Sequence, residues 1–484
     1  MASIKRNYVY NLSYQILTLI TPFITTPYVT RIFSPQAIGL QSFSFSLSQT
    51  FGLLAWVGIF LYGQREVSYA QNDRAKRTQI FWEVQILSLI TSLTWAIFYI
   101  LVVIFYIKHD YALFLILILN IIPFNCVFLF NAMEEFGKAT ALQFIFKILG
   151  IAFIFIFIKK ESDLTLYVLG SLLSMTLPNL FMWLDVHRHV DLPDWKTLRP
   201  FRNMTTIISL FLPTISAQIY SVLDKLMLGF IATNTTENGY YELSLRISIM
   251  PLMAVGALST VVIPRIGYLF KANERELLHA YIYRSFKFTW FASVPLCFGL
   301  MAVSDNFVAW FFGAAYAKVS GLLKLSSFIT IINGLAGVSG GQYMIPTGQQ
   351  NKYTLTIIIG SAFNFVLNIF LIPNFYSYGA LIASILGELT ILFLQFYFLS
   401  KEFSIKKIIS FGFPYIFAGL IMFAVLRSFS YKLPLNPLGT AIIIVTGSLI
   451  YFGILFVFRD EFFIFYSQRT INFIKRKSRE ILRF

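Results

Sequence analysis

Apolar residues recur along this chain in runs of about twenty, divided by short polar segments; Leu142–Ile158 and Tyr353–Ile372 are two of them. A helix rises about 1.5 Å per residue, so such a run spans the ~30 Å hydrocarbon core of a bilayer. Fourteen runs can be marked, near 8–31, 37–62, 78–107, 111–133, 140–158, 164–185, 204–231, 240–263, 280–303, 322–345, 353–373, 378–400, 408–426 and 439–458. They predict an all-α polytopic membrane protein with about 14 transmembrane helices. An even number puts both termini on one side of the membrane. No connecting loop exceeds about 20 residues, so no soluble domain is expected.

One segment departs from the pattern. In QSFSFSLSQTFG (41–52) polar and apolar residues alternate, the period of a half-buried strand. A lone strand cannot stand in lipid, where only helices and closed barrels satisfy the backbone. Wound as a helix, Leu40, Phe43, Leu47, Phe51 and Leu54 form one narrow stripe. Gln41, Ser42, Ser44, Ser46, Ser48, Gln49 and Thr50 fill the remaining arc, with Phe45 as the exception. One reading is close helix packing through small residues. The other turns the stripe to lipid and the polar arc to a hydrated cavity, with the helix that starts at Gly239 as the opposite wall.

Composition narrows the class. The chain is 57% hydrophobic, 18% aromatic and 12% charged, more apolar surface than a soluble protein of this size could hide. Its net charge of +16 does not call for a nucleic-acid partner, because the cations follow the positive-inside rule. With the N-terminus cytoplasmic, 26 of the 38 Lys and Arg fall in inner segments and eight in outer ones. The remaining four, Lys147, Lys225, Arg246 and Lys287, lie within spans. Both termini are therefore expected to be cytoplasmic. The run after MASIKR carries Asn11, Gln15, Pro22 and Pro27 without a small-residue cleavage site, and reads as an uncleaved first span. Cys126 and Cys297 lie in apolar runs, and no Cys/His spacing suits a metal. No phosphate-binding loop is present, so no built-in ATPase is expected.

The chain looks duplicated. Gly39–Ser44 (GLQSFS) lines up with Gly239–Ser244 (GYYELS), Asn72-Asp73-Arg74 with Asn273-Glu274-Arg275, and Met133–Gly137 (MEEFG) with Met344–Gly348 (MIPTG), at offsets of 200, 201 and 211. Three matches in order suggest two parallel six-span halves, 1–200 and 201–402. The segment 403–484 then holds a final helix pair and a basic tail. Transporters often place substrate sites between such halves. Pro22 and Pro27 in the first span, and Pro213 in the seventh, suit either packing kinks or bendable cavity helices.

The segments YVTRIFSPQAIG (28–39), YGQREVS (62–68), LFNAMEEFGKA (129–139), LDKLMLGF (223–230), ENGYYELSLRIS (237–248), IPTGQQNKY (345–353) and NFVLNIFLIPNFYSYGALIAS (364–384) together resemble one known family. They are similar to the Wzx-type flippases, polysaccharide transporters of the multidrug/oligosaccharidyl-lipid/polysaccharide (MOP) superfamily, over nearly the whole chain. The resemblance implies a MATE-like fold, two six-helix bundles in a V with a final pair. It implies that undecaprenyl-diphosphate-linked oligosaccharide is moved from the inner to the outer leaflet of a bacterial plasma membrane, by alternating access, for capsule, O-antigen or exopolysaccharide assembly. The implied partners are that glycan, the bilayer, and a polymerase with other assembly proteins. Flippases of the peptidoglycan precursor or of teichoic acid remain open. Multidrug exporters usually have twelve spans, which counts against them. An enzyme would need a carboxylate constellation, and Asp110, Asp163 and Asp305 are scattered.

An anionic, sugar-bearing headgroup calls for cations and polar groups facing water inside the membrane. A charge left in lipid costs about 2.5–3.5 kcal/mol on insertion scales. Lys147, mid-run in LQFIFKILGIAF, is the sharpest candidate for the diphosphate, with a salt bridge as its structural alternative. Lys225, Arg246, Arg31 and Lys287 are further cation candidates, and Gln41, Ser48 and Gln218 are candidate sugar contacts. Asp224, Glu242 and Glu388 are candidates for charge pairing or for H+ or Na+ coupling. Glu242 stands four residues before Arg246 on one helix face. No cofactor is called for. An inside-negative potential offers about 2.3 kcal/mol per charge per 100 mV, so about 4–5 kcal/mol for a diphosphate moving outward.

Overall fold

The computed structural model describes residues 4–56, 58–107, 110–122, 124–232, 234–256 and 259–464, without the side chains of 4–12, 210–221, 254, 260 and 261. The described residues contain no strand, and the all-helical expectation holds. Nine of their helices are long and apolar enough to cross a membrane. The chain divides into two units, Met1–Glu242 and Leu243–Phe484.

In the first unit, α1 (Ile4–Ile32) runs through Pro22 and Pro27 as one helix. Ser34 Oγ then accepts the Ala37 N–H at 3.3 Å, and Pro35 takes the first position of α2 (Pro35–Trp56). A hydroxyl that accepts a free N–H, followed by a residue that has none, starts a helix at little cost. Gly58, at φ 69°, separates α2 from α3 (Ile59–Tyr69). Asp73 caps α4 (Arg74–Tyr106) by accepting the Lys76 N–H at 2.9 Å.

The run at 111–133, expected as one span, is instead three short helices: α5 (Tyr111–Ile116), α6 (Ile118–Ile121) and α7 (Val127–Ala132). Non-helical backbone at this depth must be satisfied by protein. Trp56 Nε1 donates to Ile121 O at 3.3 Å, Trp183 Nε1 to Phe124 O at 2.9 Å, and Gln85 Nε2 to Asn125 O at 2.9 Å. After the break come α8 (Phe136–Phe157), α9 (Leu164–Val186), α10 (Met204–Ile231) and the start of α11 (Thr236–Gly256). In the turn between α8 and α9, the Lys159 and Lys160 N–H groups hold the Asp163 carboxyl below its ordinary range.

The alternating segment is helical, as lipid requires, but its apolar stripe does not face lipid. Phe43 and Leu47 are 5% and 4% exposed. Phe43 packs edge-on against Phe114 and Phe230. α2 is enclosed by α4, α6, α9 and α10. Ser42, Ser44, Ser46 and Ser48 are buried too, and Ser44 and Ser48 bond back to Gln41 O and Phe45 O. The small-residue packing reading is the one that fits: short hydroxyl side chains satisfied by their own helix let several helices approach at once.

The second unit continues through the rest of α11, then α12 (Ser259–Lys271), α13 (Arg275–Phe311), α14 (Lys318–Ser326), α15 (Phe328–Ala336) and a π-helical stretch, Gly337–Met344. α16 (Gln350–Leu399) is a hairpin of the two predicted spans, turned at Tyr376 (φ 51°, ψ −125°). A Cβ on Gly360 would meet Ile391, and one on Gly379 would stand 2.3 Å from Leu371 O, so the two arms lie side by side. α17 (Ile405–Ser410) and α18 (Gly412–Ser430) follow. Asn436 then caps α19 (Pro437–Val457) through the Gly439 N–H at 2.8 Å. α18 and α19 pack along α13, burying Met422, Leu426, Ile443 and Tyr451.

The two segments of the third matched pair carry the same kind of turn, three residues apart in the alignment. Glu134 (φ 61°) precedes a Glu135 N–H to Phe130 O bond, and Gly348 (φ 76°) precedes Gln349 N–H to Met344 O, each at 2.8 Å. A left-handed residue with a six-to-one hydrogen bond is a common helix stop.

Candidate functional site

The first duplicated motif folds onto its own copy. A Cβ on Gly39 would stand 1.6 Å from Thr235 O and 2.9 Å from Gly239 N; one on Gly239 would stand 2.1 Å from Pro35 O and 3.0 Å from Gly39 N. Residues 35, 39 and 42 thus meet 235, 239 and 242, their equivalents at an offset of 200. Reciprocal contact of equivalent residues is what a local two-fold relation produces where its axis passes. Only glycine allows two helix starts to come this close. Ser42 Oγ lies 3.3 Å from Glu242 Oε2, and Thr235 Oγ1 donates to Gln36 O at 3.0 Å.

Beside this crossing α10 contributes two charges, and both turn toward α11. Lys225 Nζ pairs with Glu242 Oε2 at 2.6 Å, with side chains 21% and 14% exposed. Asp224, also buried, accepts the Tyr241 hydroxyl at 2.6 Å. Asn238 Nδ2 donates to Lys225 O at 2.7 Å. The candidates Lys225, Glu242 and Asp224 therefore form one neighbourhood, fixed by packing rather than by spacing along one helix. Tyr241, Ser42 and Asn238 belong to it and were not singled out from the sequence. The offset of 200 was the available signal for Ser42 and Glu242. Tyr241→Phe is expected to cost about 1.5–3 kcal/mol, since a hydrogen bond to a buried carboxylate is lost. Chemical unfolding in detergent measures it, and a wild-type midpoint would count against this role.

The other candidates are dispersed. Lys147 is half-buried on α8 between Ile145, Ile148 and Leu149, which are about half exposed. No ion pair or hydrogen bond reaches it among the described residues. α8 packs on α1 and α9. Arg31 bonds Pro27 O at 3.0 Å. Gln41 is half-buried, and Ser48, buried, accepts from Asn120 Nδ2 at 3.2 Å. The side chain of Gln218 lies outside the described residues. In the second unit Arg246 is half-buried, and Glu388 accepts from Asn333 Nδ2 at 3.3 Å. Lys287 sits with its Nζ 5.7 Å from the centre of the Phe462 ring.

Long apolar helices with ion pairs and hydroxyls in their packed interiors define a polytopic helical membrane protein. Residues 4–270 match the polysaccharide biosynthesis protein family. The chain belongs to that family. Two curated relatives are similar to it. A Haloferax volcanii protein described as a low-salt glycan biosynthesis flippase is 22% identical over 272 residues, 56% of each chain. An Escherichia coli (strain K12) protein described as an O-antigen transporter is 21% identical over 414 residues, 83% of this chain and 97% of the relative. Among solved structures, the lipid II flippase MurJ in an inward closed conformation superposes with a TM-score of 0.65 at 18% identity, covering 94% of this chain and 99% of that one. At that identity the likeness speaks for the fold.

Proposed function

We propose that the protein flips undecaprenyl-diphosphate-linked oligosaccharide repeat units from the inner to the outer leaflet of a bacterial plasma membrane. The segments 1–200 and 201–402 act as the two moving bundles, with 403–484 as an appended pair and tail. Lys147 carries the reading. A cation in the middle of an apolar helix is costly in lipid and is retained where function needs it. Among the described residues no side chain pairs with Lys147, and a diphosphate suits that place. The family membership and the relatives' names support a glycan cargo. The inside-negative potential suffices as the drive for a divalent anion moving outward, and no cofactor is required.

The test uses proteoliposomes with a fluorescent lipid-diphosphate-linked glycan and an imposed potential. Lys147→Gln is expected to lower the flipping rate at least about tenfold, the scale of one lost charge-assisted hydrogen bond. Lys147→Arg should retain most of it. A Lys147→Gln protein that flips at the wild-type rate would remove the residue from the mechanism. Dependence on a H+ or Na+ gradient, with no effect of potential, would replace the proposed drive.

A further inference from the structure

A pocket of about 380 Å³ opens in the second unit, lined by Ala280, Tyr283, Arg284, Lys287, Phe411, Glu461 and Phe462. Its place along the chain is informative. Arg284 and Lys287 are one turn apart on α13, in the first turns of the span near 280–303. Phe411 directly precedes α18, and Glu461 and Phe462 follow shortly after α19 ends at Val457. Three elements thus meet at the pocket near the ends of their apolar runs, where a helix that spans a bilayer reaches the headgroup layer.

The lining chemistry is that of a headgroup. Two cations three residues apart share a helix face, beside the rings of Tyr283, Phe411 and Phe462. Lys407 adds a third positive charge, its Nζ 4.7 Å from the centre of the Tyr283 ring. Tyr283 is held in place because its hydroxyl oxygen accepts the Ser404 N–H at 2.9 Å. Glu461, exposed at the rim, leaves the named lining with a net charge of +1. Basic pockets between transmembrane helices at the membrane edge suit lipid phosphates, and the aromatic walls suit the glycerol and the first methylenes.

We propose that this pocket binds the phosphate of an anionic membrane phospholipid, separately from any glycan cargo. Lys287 then serves a structural lipid, and the final helix pair is anchored to α13 through it. The site is tested on the full-length protein in detergent by native mass spectrometry, with phosphatidylglycerol as the probe and phosphatidylcholine as the control. Phosphatidylglycerol should be retained in preference to phosphatidylcholine. Arg284→Gln/Lys287→Gln should weaken it about 30-fold, and Glu461→Gln should strengthen it about fivefold, the scale of two charges removed and one repulsion relieved. The strengthened variant cannot be explained by misfolding. Millimolar inorganic phosphate should not displace the lipid. Unchanged retention in both variants, equal retention of phosphatidylcholine, or full displacement by inorganic phosphate would overturn the assignment.

Discussion

Gly39→Ala is expected to destabilise the protein by at least about 3 kcal/mol, the upper part of the range for overpacking. The added methyl would stand 1.6 Å from a backbone carbonyl oxygen, Thr235 O. A flexible side chain could swing away from it, but a helix start cannot. The two helices must part, and with them the Ser42–Glu242 and Thr235–Gln36 contacts. Gly239→Ala should behave alike, its methyl meeting Pro35 O at 2.1 Å. Gly299 in α13 is the matched control, because nothing lies within 4 Å of its Cβ position. There alanine should gain about 0.5–1 kcal/mol through lost chain entropy. Thermal unfolding of the three variants in one detergent gives opposite signs if the crossing is as tight as it stands. A Gly39→Ala protein as stable as Gly299→Ala would refute it.

Breaking the Lys225–Glu242 pair is the second large effect. At 2.6 Å, with both side chains mostly buried, the pair lies outside the regime where exposed ion pairs contribute little. Lys225→Met removes the ammonium 2.6 Å from Glu242, and Glu242→Gln removes the carboxylate charge 2.6 Å from Lys225. Each is expected to cost about 3–5 kcal/mol. The double variant Lys225→Met/Glu242→Leu should lose much less than the two singles together, because the two opposite charges are removed as a unit. A double-mutant cycle by denaturant unfolding measures the coupling. Additive losses would show that the two charges act through other neighbours.

Much of the fold was legible beforehand. Runs of about twenty apolar residues have one low-energy outcome in a bilayer, so the helices and most of their limits follow from length and polarity. Caps at Ser34, Asp73 and Asn436 were local chemistry. The broken run at 111–133 was not foreseen, because its stability rests on Trp56, Gln85 and Trp183, which are distant in sequence. The stripe of α2 was left open between packing and lipid for a related reason. Leu47 and Phe43 look the same to hydropathy whether they meet acyl chains or other helices.

The site divides in the same way. The cations within spans were visible one by one, because a charge in an apolar run stands out. Their partners were not. Spacing along α11 put Glu242 one turn from Arg246, and packing also sets it against Lys225 of α10. The sequence by itself determined that the chain spans a membrane as helices and where its costly charges lie. These depend on the periodicity and polarity of neighbours along the chain. Only the tertiary structure decided that Gly39 and Gly239 cross, that Asp224 and Lys225 both turn to α11, and that Arg284 and Lys287 share a pocket with Phe411 and Phe462. Such pairings depend on which helix faces which, and lipid and protein interior are too alike in polarity for hydropathy to record it.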